Sequence, residues 1–195
     1  MAKLNEQQIR AASFTDGVAV VIAVPGSGKT LTMTHRIGRL VNSGVSPESI
    51  LGLTFTRNAA NEMRSRLVDV LKEEAPRVML STIHSFCHHI LRCEGVLFDI
   101  LEGKDRLMFI RKIMGKLGVK DISVGMVLKE IALAKNNLVV VEEFFELHDG
   151  DKAMLKVAEV FQVYEDDKKK KMLKDFDDLL LDALDLPDFF GPLNS

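Results

Sequence analysis

Eight consecutive residues, Ala23-Val-Pro-Gly-Ser-Gly-Lys-Thr30, combine the residue types and spacing needed to hold a polyphosphate. Gly26 and Gly28 lack a Cβ, so the backbone can curl and aim successive N–H groups into the loop. Pro25 and Ser27 belong to the same turn and count among the nucleotide-contacting positions. Lys29 supplies a full positive charge for β- and γ-phosphates, and the Thr30 hydroxyl is placed to ligand Mg²⁺. A helix starting here would add the partial positive charge of its N-terminus. The plain alternative is a Gly-rich turn with an exposed lysine. It accounts less well for an apolar run before the loop, a helical pattern after it, and Lys-Thr in register. Such a loop specifies phosphate binding and leaves the task open.

The elements that must position this loop can be read from periodicity. Asn5 and Gln8 have the spacing of a helix cap and its reciprocal partner. Gly17–Val24 (GVAVVIAV) is apolar and rich in valine, which predicts a buried strand of a parallel sheet. A helix is expected from the loop through Val41, ended near Gly44 and Pro47. Ile50–Phe55 reads as a second strand, and Thr56 as the cap of a helix with Ala60, Met63, Leu67 and Leu71 on one face. Val78–Ile83 reads as a third strand, followed by a helix over His84–Arg92. Beyond residue 94 strand signals fade. Leu107, Ile110, Met114 and Leu117 recur at helical spacing, as do Leu155, Ala158 and Phe161, and later Phe176, Leu179, Leu180, Ala183 and Leu184. The lysine run Lys168–Lys171, beside Asp166 and Asp167, reads as a solvated helix face.

The chain has 195 residues and a net charge of −2. Residues 1–93 carry 11 Lys and Arg against 7 Asp and Glu, and residues 94–195 carry 15 against 21. The first part is suited to face phosphates; the second is suited to a solvated helical surface. No apolar run reaches the roughly 20 residues of a membrane-spanning helix, so no membrane partner is expected. The first ten residues lack the apolar core of a secretion signal, and only Cys87 and Cys93 occur. A reducing cytoplasm fits best. Cys87, His88, His89 and Cys93 match no zinc spacing and lie on one short predicted helix, so a metal reading is set aside in favour of cysteine on a buried helix face.

Four segments lie around the loop in a fixed order. They are Leu4-Asn5-Glu6-Gln7-Gln8 with Ala11, then Thr54–Leu67 (TFTRNAANEMRSRL), Ser81–Phe86 (STIHSF) and Asp175–Leu180 (DFDDLL). Together with AVPGSGKT and Thr34-His35-Arg36-Ile37, they resemble the UvrD/Rep/PcrA family of superfamily 1 DNA helicases. The resemblance covers about residues 4–185 and is strongest through 93. It explains Ala23, which stands where the general phosphate-loop pattern has glycine. It implies ATP with Mg²⁺, and a Gln8 amide that reads the adenine edge by donating and accepting together; capping by Gln8 is compatible with that role. Leu31 departs from an arginine common in the family.

The resemblance also implies that Phe55, Thr56 and Arg57, and then Thr82, His84 and Ser85, face single-stranded DNA. An aromatic ring stacks on any base, and hydroxyl and N–H groups take phosphate. Arg57 stands where asparagine is usual. Phe55 as core, Arg64 and Arg66 as solvated charges, and His84 as a satisfied core group are the alternatives. The segment at 175–180 is a marker of resemblance with no assigned role.

The implied fold is α/β: a partial P-loop, RecA-like parallel sheet over 1–93, an all-helical inserted subdomain over 94–186, and a loose tail over 187–195. ATP hydrolysis further needs an apolar strand ending in Asp-Glu, and no Asp-Glu pair occurs in the sequence. The expectation is therefore the ATP-binding part of a helicase moving 3′ to 5′ on single-stranded DNA. The remaining helicase domains would lie elsewhere, in a longer protein or lost from a truncated gene, and this chain alone would hydrolyse little. A non-catalytic DNA-binding or regulatory protein is the second reading, and a small P-loop nucleotide kinase the third.

Overall fold

A computed structural model describes residues 4–15 and 17–186. The chain divides into two compact units, one ending at Phe86 and one starting at Cys87. The division falls inside a helix, seven residues before the position expected from sequence. The expected tail at 187–195 lies outside the described residues.

The first unit contains α1 (Glu6–Ala12), α2 (Lys29–Asn42), β1 (Leu51–Thr54), α3 (Arg57–Leu71) and β2 (Met79–Thr82); α4 (Ile83–Cys93) begins here. The strands β1 and β2 pair in parallel, with Leu51 opposite Met79 and Thr54 opposite Thr82. Alternation decides which residues face the core. Gly52 and Leu80 turn inward, where Leu80 joins Ile37, Met63, Leu67, Leu71, Ala75 and Val78. The helices α2 and α3 approach closely at Gly38, where an added Cβ would stand 2.3 Å from Val70 Cγ1. On the other face of the sheet, Leu51, Leu53 and Met79 stay exposed. A parallel sheet is ordinarily covered on both faces.

The buried strand expected at Gly17–Val24 does not form. Residues 18–24 have no ladder partner among the described residues. Val18 and Ile22 are 95% and 97% exposed. A strand exists only through its neighbour's N–H and C=O groups. β1 and β2 pair with each other along one edge each, and this run pairs with neither outer edge. Burying one such side chain is worth about 1.5–3 kcal/mol, which the exposed run forgoes several times over.

The second unit holds the rest of α4, β3 (Asp99–Ile100), α5 (Gly103–Leu117), α6 (Val124–Asn136), α7 (Val141–Leu147), α8 (Lys152–Lys170), β4 (Leu173–Lys174) and α9 (Phe176–Leu184). It is not all-helical as expected. β3 and β4 form a parallel ladder, continued by Asp99 N–H to Met172 O and Leu101 N–H to Lys174 O, each 2.8 Å. Two extended connections that cross the unit satisfy each other's backbone groups this way. The main core gathers Ile110, Ile113, Val127, Ile131, Phe144, Val157, Phe161 and Tyr164 from four helices.

Lys168 corrects the reading of 168–171 as a solvated face. It is 2% exposed, while Lys169, Lys170 and Lys171 are exposed. Val157, Phe161, Tyr164 and Lys168 follow one helical stripe of α8, so Lys168 points into the unit. There it meets Asp175, which is fully buried. Lys168 Nζ donates to Asp175 at 3.1 Å and Asp178 at 2.6 Å, and Lys135 Nζ donates to both oxygens of Asp175 at 2.9 and 3.0 Å. The Tyr164 hydroxyl donates to Asp175 at 2.8 Å, and Arg106 donates to Tyr164 at 3.1 Å. Oxygens of Glu165, Asp175 and Asp178 converge within 4.8 Å, as in a cation site, and the two ammonium groups fill that place.

Burial would raise the Asp175 carboxyl, but Lys168 and Lys135 outweigh it and hold the group well below the usual carboxylate range. Burial would likewise lower Lys135, and Asp175, Asp178 and Glu165 outweigh it and hold the ammonium above the ordinary lysine range. The depressed acid contributes stability above its unfolded value, near pH 4, and that stability is lost as pH falls through the folded value. The raised lysine contributes below its unfolded value, near pH 10, and loses it as pH rises through the folded one. Asp175→Asn leaves two buried lysines undercompensated and is expected to destabilise the second unit by ~3–5 kcal/mol. Denaturation followed by circular dichroism at pH 7 and pH 3 checks this. The variant's deficit should shrink at pH 3, and an equal deficit at both pH values contradicts the account.

Candidate functional site

The helix α1 starts with a reciprocal cap. Asn5 Oδ1 accepts from Gln8 N–H and Gln8 Oε1 accepts from Asn5 N–H, both at 2.9 Å. This pairing follows from local spacing alone. Side-chain contacts attach this end of the chain to α2: Arg39 Nη1 donates to Ser13 Oγ at 2.5 Å, and the Arg36 guanidinium lies 5.6 Å from the centre of the Phe14 ring. A third contact, from Gln8 Nε2 to Ser27 O at 2.9 Å, reaches the phosphate-loop segment itself.

In that segment Gly26 and Gly28 have φ of +78° and +82°, the left-handed region that glycine enters without strain. Ser27 N–H closes a turn on Val24 O at 3.2 Å. Gly28 is the N-cap of the 14-residue helix α2, and no side chain caps that end. The N–H groups of its first turn therefore lack a side-chain acceptor, and the helix dipole makes the end attractive to anions. Ser27 Oγ is buried and has no hydrogen-bond partner. An unpaired buried hydroxyl costs about 1–3 kcal/mol, so it marks a place where a partner would bring gain.

Lys29 is exposed, and its Nζ donates to Ala23 O at 3.2 Å and Val24 O at 2.9 Å. Thr30 is half-buried, with its carbonyl accepting from Thr34 Oγ1 at 2.8 Å; Pro25 is exposed. A cavity of about 140 Å³ lies beside the loop, lined among others by Asn5, Gln8, Ala11, Ala23, Ser27 and Lys29. The structure thus brings Gln8, Ser27 and Lys29 to one cavity.

The second set of candidates meets at the carboxyl end of the small sheet. Because β1 and β2 run parallel with Thr54 opposite Thr82, the segments after both strands emerge at the same edge. Phe55 is 90% exposed, which excludes the core reading. Thr56 caps α3 by accepting from Ala59 N–H at 3.1 Å, and Arg57 is exposed. Thr82 is buried; its Oγ1 donates to Ser85 Oγ at 2.9 Å and accepts from Ser85 N–H at 3.2 Å. It is committed to the first turn of α4, while Ser85 is exposed and His84 half-buried.

Sequence left Arg64 open between DNA contact and solvated charge, and the structure gives a third role. Its Nη2 donates to Leu80 O at 2.8 Å and its Nη1 to Asn61 Oδ1 at 2.7 Å, which pins α3 to β2. Arg66 forms an exposed pair with Glu62. In the second unit, Cys87 is buried, and that burial raises its thiol. Cys93 is exposed, so only one of the two cysteines lies on a buried face.

The family described as the UvrD/REP helicase N-terminal domain matches residues 4–188 of this chain. A curated relative, the ATP-dependent DNA helicase PcrA of Bacillus subtilis (strain 168), is 36% identical over 96% of this chain and 26% of its own length. The proteins of that name from Leuconostoc citreum and from Staphylococcus epidermidis (strain ATCC 35984) are 32% and 34% identical, each over 94% of this chain and 26% of their own length. This chain spans about a quarter of the length of the curated relatives it matches. No helix among the described residues is long and apolar enough to cross a membrane.

The commitment of Thr82 to α4 separates stability from binding. Thr82→Val keeps the shape and loses the hydroxyl, so it is expected to cost about 1 kcal/mol in urea denaturation. Its affinity for single-stranded oligonucleotide should change less than twofold. A large loss of affinity with unchanged stability would make Thr82 a ligand contact instead.

Proposed function

Since the chain belongs to the UvrD/REP helicase N-terminal domain family, we propose that it is the part of an ATP-dependent DNA helicase that binds ATP with Mg²⁺ and touches single-stranded DNA. The observation that carries this reading is the loop at 23–30, with two left-handed glycines, an uncapped helix start and a lysine at its mouth.

The donor set fits a polyphosphate. Main-chain N–H groups at Gly28–Thr30 and the orphaned Ser27 hydroxyl supply directed donors. Lys29 supplies charge once its Nζ leaves the carbonyls of Ala23 and Val24. Those two bonds are surface-exposed and weak in net terms, about 0.5–1.5 kcal/mol each, whereas a charge-assisted bond to phosphate is worth about 1.5–3. The Thr30 hydroxyl is the Mg²⁺ ligand that this chain offers, and the ion itself would draw charge from the β- and γ-phosphates. Gln8, held against Ser27, borders the space left for the base.

At the sheet edge, Phe55 forgoes about 1.5–3 kcal/mol by staying exposed. A stacked base recovers that, and the exposed Arg57, with Ser85 and His84 across the edge, suits the flanking phosphates. Hydrolysis needs a further carboxylate that no Asp-Glu pair in this sequence provides. Steady turnover and unwinding therefore belong to a longer assembly of RecA-like domains. The exposed run at 18–24 and the bare face at Leu51, Leu53 and Met79 suit additional elements of that kind.

Two outcomes test the proposal. Lys29→Ala should weaken Mg-ATP binding at least tenfold in a fluorescent-nucleotide titration, and retained affinity contradicts the loop reading. Phe55→Ala should weaken binding to an oligo-dT strand by roughly tenfold, with an unchanged melting temperature. Undiminished DNA binding would remove Phe55 from the interface.

A further inference from the structure

The helices α2, α4, α5 and α6 end in the same backbone motif. A residue just past each helix turns left-handed, and the next N–H bonds back to a carbonyl five positions earlier. These bonds run from Val45 to Leu40, Val96 to Leu91, Val119 to Met114 and Val139 to Ala134, at 2.9–3.1 Å. In α2, α4 and α5 the left-handed residue is Gly44, Gly95 or Gly118, and in α6 it is Leu138, with φ of +59°. A Cβ makes that conformation costly, and glycine avoids the cost. Packing does not explain the leucine, because its side chain is 66% exposed.

Leu138 belongs to an apolar face of the second unit. Alternation sends Val139 into the core and Val140 outward with Leu138. Val140 is the N-cap of α7, and Leu147, seven residues on, returns to the same side after two turns. Val140 and Leu147 are 54% and 68% exposed. Glu143 lies between them, accepts from Val140 N–H at 3.2 Å, and is exposed together with Glu142 and Glu146. Asp149 and Asp151 follow, and no Lys or Arg occurs between Lys135 and Lys152.

We propose that Leu138, Val140 and Leu147 form a docking face for a basic amphipathic helix of another protein. An apolar patch with a polar rim is the usual form of such a face. The charge of the rim chooses the occupant: it repels nucleic-acid phosphates and anionic lipid, and it attracts lysine and arginine. Apolar anchors interleaved with carboxylates match a helix whose leucines recur at three- and four-residue spacing, with basic residues between them. Two turns of α7 span about 10 Å, so the face takes a short segment with an affinity on the order of tens of micromolar. Leu138 is costly in the free protein, in backbone and in exposure, and a docked helix repays the exposure. The rival occupant is a second copy of this chain, whose α5 exposes Lys104, Arg111, Lys112 and Lys116.

The test titrates the full chain into a fluorescent Leu/Lys peptide of about 14 residues, with its leucines at helical spacing, and follows anisotropy. A Leu/Glu peptide of the same pattern is the control. The Leu/Lys peptide should bind on the order of tens of micromolar and weaken as salt is raised, and the Leu/Glu peptide should not bind. Leu138→Gly removes an anchor and relieves the backbone. It should weaken peptide binding by roughly fivefold or more while the melting temperature rises by about 1–3 °C. A residue with a merely structural role would not move these two readouts in opposite directions. Glu142→Lys combined with Glu146→Lys should weaken the peptide by a similar factor, and Glu73→Lys combined with Glu74→Lys, in the first unit, should leave it within about twofold.

Peptide affinity unchanged by Leu138→Gly overturns the docking face, as does equal binding of the two peptides. A melting temperature lowered by Leu138→Gly overturns the reading of Leu138 as strained and makes it a packing residue. Binding of a single-stranded oligonucleotide that is lost in Leu138→Gly assigns the face to nucleic acid and overturns the proposal. Sedimentation velocity covers the rival: the chain should run as a monomer, and an oligomer dispersed by Leu138→Gly would give the face to a second copy instead.

Discussion

Everything at the candidate nucleotide site depends on a helix start that the protein does not cap. Asn5, Thr56, Ser123, Asp151 and Asp175 each close a helix start with a side-chain acceptor. The helix α2 begins instead with Gly28, which has no side chain to spend. The left-handed turn at Gly26 and Gly28 keeps the loop backbone curled around the same point. Uncapped N–H groups, a helix dipole and a nearby ammonium are a deliberate surplus of positive potential. The surrounding contacts keep that surplus in place. α2 is fixed on α3 through the Gly38 approach, and α1 reaches the loop through Gln8.

The second unit treats charge in the opposite manner. It buries Lys135, Lys168, Asp175 and Tyr164 and closes them on one another. Such a network is a poor source of net stability, because desolvation offsets most of the attraction. Its consequence is that misplacing any member leaves an unpaired charge in the core. Asp175 serves two ends at once, capping α9 by accepting from Asp178 N–H and anchoring lysines from α6 and α8. The conversion of a helix cap into the hub of a buried network explains why the segment at 175–178 carries three acidic residues in a mostly apolar stretch.

Local features were legible in the sequence and long-range ones were not. The caps at Asn5 and Thr56 and the face of α3 rest on spacings of two to four residues and appear as expected, while β1 and β2 lie within the expected runs, each one residue shorter at both ends. The run at 17–24 has the composition of a strand. Composition measures fitness for a sheet, though, while the sheet itself requires a partner that no described residue supplies. The charge of Lys168 suggests solvent, but its periodicity does not: it lies seven residues after Phe161 on the same stripe. Its partner Asp175 was in view as a motif, but the pairing of Lys135 with Asp175 spans 40 residues and has no local signal. The exposure of Phe55 and the capping role of Thr82 likewise depend on the parallel pairing that brings two distant segments to one edge.

In the proposed function the main-chain amides at the start of α2 receive a polyphosphate. Backbone amide NMR of the chain, titrated with Mg-ATP, reads that directly. The account predicts the largest shifts at Gly26, Gly28, Lys29 and Thr30, saturating together, with those of the buried Asp175 network unmoved. Saturating nucleotide that leaves the 26–30 amides unshifted would contradict it.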